Sequence, residues 1–309
     1  MAKVTLDGQV AIVTGAGRGL GRAHSLELAR RGAAVVVNDV SREYANEVVA
    51  AIEAIGGRAA ASYDSVATPA GARAIVDTAR EQFGTVDAVV NNAGFMRNGW
   101  FEDLTSEGLR ELLGVHIEGS FYVTQAAWPI MREKGYGRVV MTSSAGGMFA
   151  MEGESNYAAA KGGCYGLMKA LAYEGADHGI LVNAILPMAT TTIAADDPIP
   201  EYGERYPADV REFLAPRRTT DLVSPLVAYL ASPACAVNSE AFSAGFGRFA
   251  RVFVGESRGW VAPDLESVTA ETIAEHLDEI RDRDDYTVPS NIFDEVKYIA
   301  AALGMPAAR

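Results

Sequence analysis

At 309 residues the chain exceeds the commonest single-domain size, yet α/β folds built on one sheet reach this length as a single unit. With 49% of residues apolar and 22% charged, it has material for a large core, which excludes a globally disordered chain. Its 40 acidic and 27 basic residues leave a net charge of -13, which repels a phosphate backbone and excludes extended nucleic-acid binding; a small anion can still be held by local backbone dipoles. The N-terminal residues form no signal-like apolar stretch, and no run of about 18 apolar residues occurs, so a cytoplasmic protein without membrane spans is expected. Cys164 and Cys235 are far apart and lack CxxC or Cys/His spacing, so neither a disulfide framework nor a metal site is expected.

Taken in chain order, residues 10–14, 34–38, 58–63, 86–91, 138–142 and 181–186 read as strands, separated by amphipathic helical stretches. Most of these strands are nearly continuous Val, Ile and Ala, as in a parallel sheet covered on both faces. Strands alternating with helices predict an α/β fold: a doubly wound, Rossmann-like parallel sheet. After Pro187 the composition becomes Thr-, Asp- and Pro-rich and reads as a mobile loop. Helical spacing returns over 221–231, and 246–254 reads as a last strand region. A charged helix over 269–281 follows, with Ser267, Thr269 and Glu271 as start signals but no full capping box, because Thr272 stands where an acid is wanted. The expected division is a dinucleotide-binding catalytic domain over 1–255 and a helical C-terminal extension over 256–309 packed on it.

The first strand runs into a turn of four glycines, in which Gly15, Gly19 and Gly21 let backbone N–H groups approach a pyrophosphate at a helix N-terminus, beside Arg18 and Leu20. Asp39 ends the second strand, where a carboxylate accepts hydrogen bonds from the adenosine ribose and repels a 2′-phosphate. Arg18 and Arg42 are cations that argue the other way; the direct carboxylate outweighs them and selects NAD. Asp64 and Ser65 end the third strand, and Asn91, Ala93 and Gly94 end the fourth, both at the ligand-binding edge of such sheets. For Asp64, a helix N-cap and an adenine contact are equally good readings. For Asn91, tying strands together through its amide is the expected role.

Tyr157 and Lys161 share one helix face, four residues apart, and Ser144 follows the fifth strand so as to meet them at the nicotinamide end of the cleft. A phenol ionises near pH ~10. A nearby ammonium and the cofactor's positive charge are expected to lower that value and make Tyr157 an acid/base near neutrality, with Ser144 holding the substrate oxygen.

In order and spacing, the glycine turn at 14–21, Asn91-Asn92-Ala93-Gly94, Ser144 and Tyr157 with Lys161 resemble the short-chain dehydrogenases/reductases over residues 5–255. The strand ending in Asp39, the stretch Tyr63-Asp64-Ser65-Val66, the segments around Tyr136 and Met141, and the long tail resemble more narrowly the (3R)-hydroxyacyl-CoA dehydrogenase module of peroxisomal multifunctional enzymes. That resemblance implies acyl-CoA-like substrates. The chain ends without a Ser-Lys-Leu address, so the sequence gives no support for a peroxisomal location. Two positions depart from the family pattern. His116 stands where an Asn supports a water relay to the lysine, and reads equally as a relay member or a packed helix histidine. Met188 follows Pro187 where a glycine is usual, leaving Thr190, Thr191 or Thr192 to contact the carboxamide, with Pro187 and Thr190 as the cofactor-side candidates.

Hydride transfer between NAD and a secondary alcohol or ketone is the leading expectation. The competing class is a non-catalytic NAD-sensing or scaffold protein, which usually loses the tyrosine or lysine retained here. Within the enzyme class, a steroid or terpenoid alcohol is the alternative to an acyl thioester, because Phe95, Met96, Trp100, Phe101, Met148, Phe149 and Met151 suggest an apolar pocket. Apolar and small residues around the helices over 105–131 and 155–178 predict a homodimer or homotetramer.

Overall fold

The computed structural model describes residues 4–189 and 208–305. Thr190, Thr191, Thr192 and the loop expected beyond Pro187 therefore fall outside the described residues.

Strand β1 (Val10–Thr14) is buried throughout and lies between β2 (Ala34–Asn38) and β4 (Ala88–Asn91), parallel to both. β3 (Arg58–Ser62) pairs outside β2, while β5 (Gly137–Thr142) and β6 (Ile180–Met188) extend the sheet beyond β4. The full order is β3-β2-β1-β4-β5-β6-β7-β8. The chain thus builds outward from β1 to β3 and then restarts on the other side at β4. Loops at the C-terminal ends of β1 and β4 consequently diverge, and such a switch point is where open α/β sheets bind ligands.

The helices follow their strands. α1 (Gly19–Arg30), α2 (Arg42–Ala54) and α3 (Pro69–Phe83) complete the first half. α4 (Ser106–Leu113) and α5 (Gly119–Lys134) are joined by one π turn over Gly114–Glu118, then come α6 (Ala145–Phe149) and the long α7 (Ser155–Gly175). Val13, Val35, Val37, Val90, Val140 and Ile185 are fully buried in one core cluster. Each side chain of this kind contributes about 1.5–3 kcal/mol through removal from water. Polar side chains fix the helix starts: Thr68 accepts from the Gly71 N–H at the head of α3, and Thr105 from that of Gly108 at the head of α4.

Two short helices, α8 (Ala208–Leu214) and α9 (Ser224–Leu230), precede the last part of the sheet. Here the sequence expectation is corrected. The strand region expected over 246–254 holds one shorter strand, β8 (Arg248–Val252), and a strand that was not expected, β7 (Ala241–Gly245), lies wholly upstream of it and runs parallel to β6. Ala241-Phe242-Ser243-Ala244-Gly245 has no β-branched residue, so local propensity does not mark it; pairing with β6 makes it a strand. Phe246 and Gly247 join the two strands with φ of 57° and 83°, a two-residue turn of the kind that favours glycine.

One compact unit ends at Arg251, and a second runs from Val252 onward. The second unit contains α10 (Ala270–Glu275), α11 (Leu277–Ile280) and α12 (Ile292–Ala302). It also holds a ribbon of β9 (Glu256–Ser257) against β10 (Tyr286–Thr287), which the sequence did not reveal. The single helix expected over 269–281 is broken at His276, whose ring stacks on Trp260 at 4.3 Å. The capping box judged incomplete is present: Thr269 accepts from the Thr272 N–H, and the Thr272 hydroxyl accepts in return from the Thr269 N–H. A threonine hydroxyl thus does what an acid was expected to do.

Candidate active site

The cofactor end is built largely from backbone. Gly15 and Gly19 have φ of +60° and +56°, and a Cβ on Gly21 would lie 2.2 Å from the Gly15 carbonyl oxygen. Arg18 N-caps α1 in extended conformation without offering a side-chain acceptor, so the first N–H groups of α1 have no side-chain cap. Such N–H groups, approached over glycine, suit a pyrophosphate. Asp39 sits beside them: its carboxylate accepts from the Gly17 N–H at 3.0 Å and from the Ser41 N–H at 2.9 Å. Each oxygen keeps lone pairs for ribose hydroxyls. Gly17 was missed as a determinant, although a Cβ there would meet Tyr44 and Asp39 within 3 Å. Leu20 packs on the core cluster, the Arg18 guanidinium lies 5.7 Å from the Tyr44 ring centre, and that of Arg42 stacks 4.1 Å from Tyr63.

Asn92 holds this end together, and the sequence reading passed over it. Its amide donates to the Thr14 and Gly15 carbonyls, while the Asn92 and Ala93 N–H groups both donate to the Thr14 hydroxyl. The Asn91 amide donates to the Thr124 hydroxyl of α5 at 2.8 Å and to Met141 Sδ of β5 at 3.3 Å, tying β4 to a helix as well as to the neighbouring strand. Asp64 is not a helix N-cap, since α3 is capped by Thr68; instead its carbonyl accepts from Asn38 at 2.9 Å. The Ser65 hydroxyl accepts from the Ala67 N–H, shaping the loop into α3. Pro187 lies near the end of β6, opposite Ala244.

The catalytic candidates meet across β5, α6 and α7. Ser144, the second residue after β5, N-caps α6 and accepts from the Gly146 N–H at 3.1 Å. The Ser143 hydroxyl donates to the Lys161 carbonyl, pinning α7 to the strand end. Lys161 is 4% exposed, and its Nζ donates to the Thr142 carbonyl at 2.7 Å while lying 5.6 Å from the Tyr157 ring centre. Burial pushes the Lys161 ammonium below its ordinary value. Burial raises the Tyr157 phenol above its ordinary value, opposed by its hydrogen bond with Ser144; the lowering expected for Tyr157 rests on the cofactor's positive charge as well. The lysine charge is turned to the Thr142 carbonyl, so desolvation wins.

His116 lies on the π turn, 2% exposed, its Nε2 against the Phe95 carbonyl at 2.8 Å and the Phe95 N–H at 3.1 Å. Burial lowers it to about 3, so it is neutral at physiological pH. A Cβ on Gly94 would lie 2.3 Å from His116 Cε1, which gives that glycine its reason. The ring meets Tyr157 edge-on at 5.5 Å, and its carbonyl accepts from Ser120 at 2.7 Å. The packed-histidine reading thus holds for the Nε2 side, while Nδ1 is buried without a partner. Thr142 Oγ1, next to Lys161's acceptor, is unpartnered as well.

The apolar candidates lie on two segments tied by hydrogen bonds from Gly99 N–H to the Gly153 carbonyl and from Asn156 to the Arg97 carbonyl. Trp100, Phe101, Phe149 and Met151 are exposed there.

A parallel sheet with a glycine-lined switch point, and a serine, tyrosine and lysine at one end of it, define a nicotinamide-type oxidoreductase framework. The chain belongs to the short-chain dehydrogenase family, whose model matches residues 9–200. It is 44% identical over 253 residues to a short-chain type dehydrogenase/reductase of Mycobacterium tuberculosis, covering 79% of this chain and 84% of that protein. It is 38% identical over 307 residues to the mouse peroxisomal multifunctional enzyme type 2, covering 96% of this chain but only 40% of the mouse protein. The full-length multifunctional enzyme type 2 structure of Drosophila melanogaster superposes with a TM-score of 0.80 at 31% identity, over 97% of this chain and 50% of that one. The resemblance to the dehydrogenase module of those enzymes is therefore shown, as is the doubly wound fold with a helical C-terminal region.

Proposed function

We propose that the protein is an NAD-dependent oxidoreductase that interconverts a secondary alcohol and a ketone, with a 3-hydroxyacyl-CoA-like compound as its substrate. One observation carries the reading: Ser144, Tyr157 and Lys161 converge from β5 and α7 beside a glycine cradle that fits a dinucleotide. When bound, NAD supplies the hydride acceptor. Tyr157 takes the proton from the substrate hydroxyl and returns it in the reverse direction, and Ser144 orients that oxygen. Lys161, whose Nζ is held by the Thr142 carbonyl, would contact the cofactor ribose together with Tyr157, and the bound nicotinamide's positive charge would favour the phenolate. His116 acts by positioning, keeping the Phe95 loop and the tyrosine ring in place. Gly15, Arg18, Gly19, Leu20, Gly21, Asp39, Asp64, Ser65, Asn91, Ala93, Gly94, Pro187 and Thr190 are the proposed cofactor contacts.

NAD is favoured over NADP because Asp39 faces the ribose position with two backbone donors already fixed, whereas Arg42 is engaged by Tyr63. The acyl-thioester class rests on the resemblance to the multifunctional enzymes, and a cytoplasmic setting on the lack of a long apolar run; no described helix is long and apolar enough to cross a membrane. A homodimer or homotetramer through α5 and α7 belongs to the same reading, since α7 exposes Ala159, Gly163, Gly166, Ala170 and Tyr173 along one side. The test is accumulation of reduced nicotinamide when the protein is given NAD and a 3-hydroxyacyl-CoA. Lack of turnover with any secondary alcohol and either cofactor would leave the non-catalytic reading in its place.

A further inference from the structure

Glu154 is a buried carboxyl that the mechanism above does not use. It occupies the N-cap position of α7, one helical turn before Tyr157, and is 2% exposed. An N-cap acid normally spends its side chain on the first helical N–H groups, yet Glu154 makes no such bond, and Asn156 instead accepts from the Tyr157 N–H. No ion pair reaches its carboxyl among the described residues. A largely buried carboxyl that neither caps nor pairs is uncommon at a helix start.

The surroundings of Glu154 supply a reason. A point one Cβ bond above Gly146 lies 3.0 Å from Glu154 Oε2, 3.6 Å from Ser144 Oγ and 3.9 Å from Tyr157 Cδ1. The carboxyl, the serine hydroxyl and the tyrosine ring therefore converge over the bare face of Gly146, on the side where Ser144 and Tyr157 would hold the reacting oxygen.

We infer that Glu154 is a specificity-determining residue of the substrate half, whose carboxyl hydrogen-bonds a second oxygen of the substrate, close to the reacting carbinol. The inference rests on the proposed dehydrogenase activity. Two oxygens separated by a three-carbon unit, as in a 3-hydroxyacyl thioester, match a hydroxyl pair with a third polar group beside it; a monofunctional alcohol leaves the carboxyl unused. Burial pushes Glu154 up to about 7, so near neutrality much of it is protonated and can donate to a carbonyl oxygen. An ionised Glu154, by contrast, raises Tyr157 further and opposes phenolate formation. A neutral donor serves both residues. Glutamine offers the same reach and a donor without the charge.

The test compares wild type, Glu154→Gln and Glu154→Met on 3-hydroxybutyryl-CoA and on 2-butanol, with NAD saturating. Glu154→Met should lose about tenfold or more in kcat/KM on the thioester, the worth of one hydrogen bond within the site, and little on 2-butanol; Glu154→Gln should stay near wild type on both. A loss by Glu154→Met of the same size on both substrates, in protein whose thermal unfolding matches wild type, or no loss on either, overturns the inference. Should Glu154→Met unfold, the Gln variant decides: retention of the wild-type ratio between the two substrates supports the inference, and loss of that ratio overturns it. Absence of wild-type turnover on both substrates overturns the proposed function itself, and this inference with it.

Discussion

At the cofactor end of the cleft, side chains are spent on fixing the backbone, although Asn91 Oδ1 is buried without a partner. Thr14 serves two N–H groups, Asn92 two carbonyls, and Asp39 two more N–H groups. At the catalytic end of the same sheet edge, His116 Nδ1 and Thr142 Oγ1 are buried without partners. There too Lys161, Tyr157, His116 and Glu154 are all displaced by burial toward their uncharged forms. In the first region the side-chain scaffold is in place, and the uncapped N–H groups of α1 are what it leaves for a ligand. The second holds unmet electrostatic demand, which a bound substrate and cofactor can satisfy and which makes these groups responsive.

Three substitutions sharpen this contrast. The largest effect is expected from Lys161→Met, which keeps the packed stem and deletes the charge: turnover should fall by about two orders of magnitude or more, with only a modest loss of NAD affinity. Steady-state kinetics beside calorimetric titration of NAD would show whether the two separate. Next, Gly21→Ala places a methyl 2.2 Å from the Gly15 carbonyl, backbone against backbone. Its expected strain of about 1–3 kcal/mol should appear as weaker NAD binding, with the charge state of the catalytic end untouched. Asp39→Ala should lower the preference for NAD over NADP by about tenfold, the scale of one charged hydrogen-bond acceptor, since Arg18 then faces a 2′-phosphate unopposed. A wild type that already prefers NADP would show that Asp39 has been misread.

The last effect concerns stability. His24, fully buried between α1 and α9 with Nδ1 on Ser224, and His116 are both lowered from 6.5 to about 3. The unfolded chain therefore takes up protons below pH 6.5 that the folded chain refuses. Stability present above 6.5 is lost as pH falls toward 3, by up to about 1.4 kcal/mol per pH unit for each histidine. His24→Asn should remove one such contribution and spare turnover, whereas His116→Asn should remove the other and lower turnover. Urea unfolding at pH 7 and pH 5 would measure both.

Much of the cofactor end was legible in the sequence, because backbone geometry there dictates residue type. Positive φ at Gly15 and Gly19 and the crowding at Gly21 leave glycine as the only comfortable choice. The parallel strands were legible for the same kind of reason: burial on both faces writes continuous Val and Ile. β7 was not legible, since Ala241–Gly245 becomes a strand through pairing with β6 rather than by its own propensity. Nor were Asn92 and Ser143, whose partners lie 77 and 18 residues away. The burial that raises the Tyr157 phenol was not legible, because spacing along a helix gives proximity to Lys161 but says nothing of desolvation. Glu154 passed unnoticed for a related reason: an acid in a loop looks solvated until the fold buries it.

NAD affinity and turnover measured on one preparation of Tyr157→Phe protein test the division between the two ends most directly. The ring and its edge-on contact with His116 persist in this variant, and only the proton-carrying oxygen is removed. The account predicts an NAD dissociation constant within about twofold of wild type and turnover lower by about 10²–10⁴. Turnover near the wild-type rate would contradict it, and so would a loss of NAD binding as large as the loss of rate.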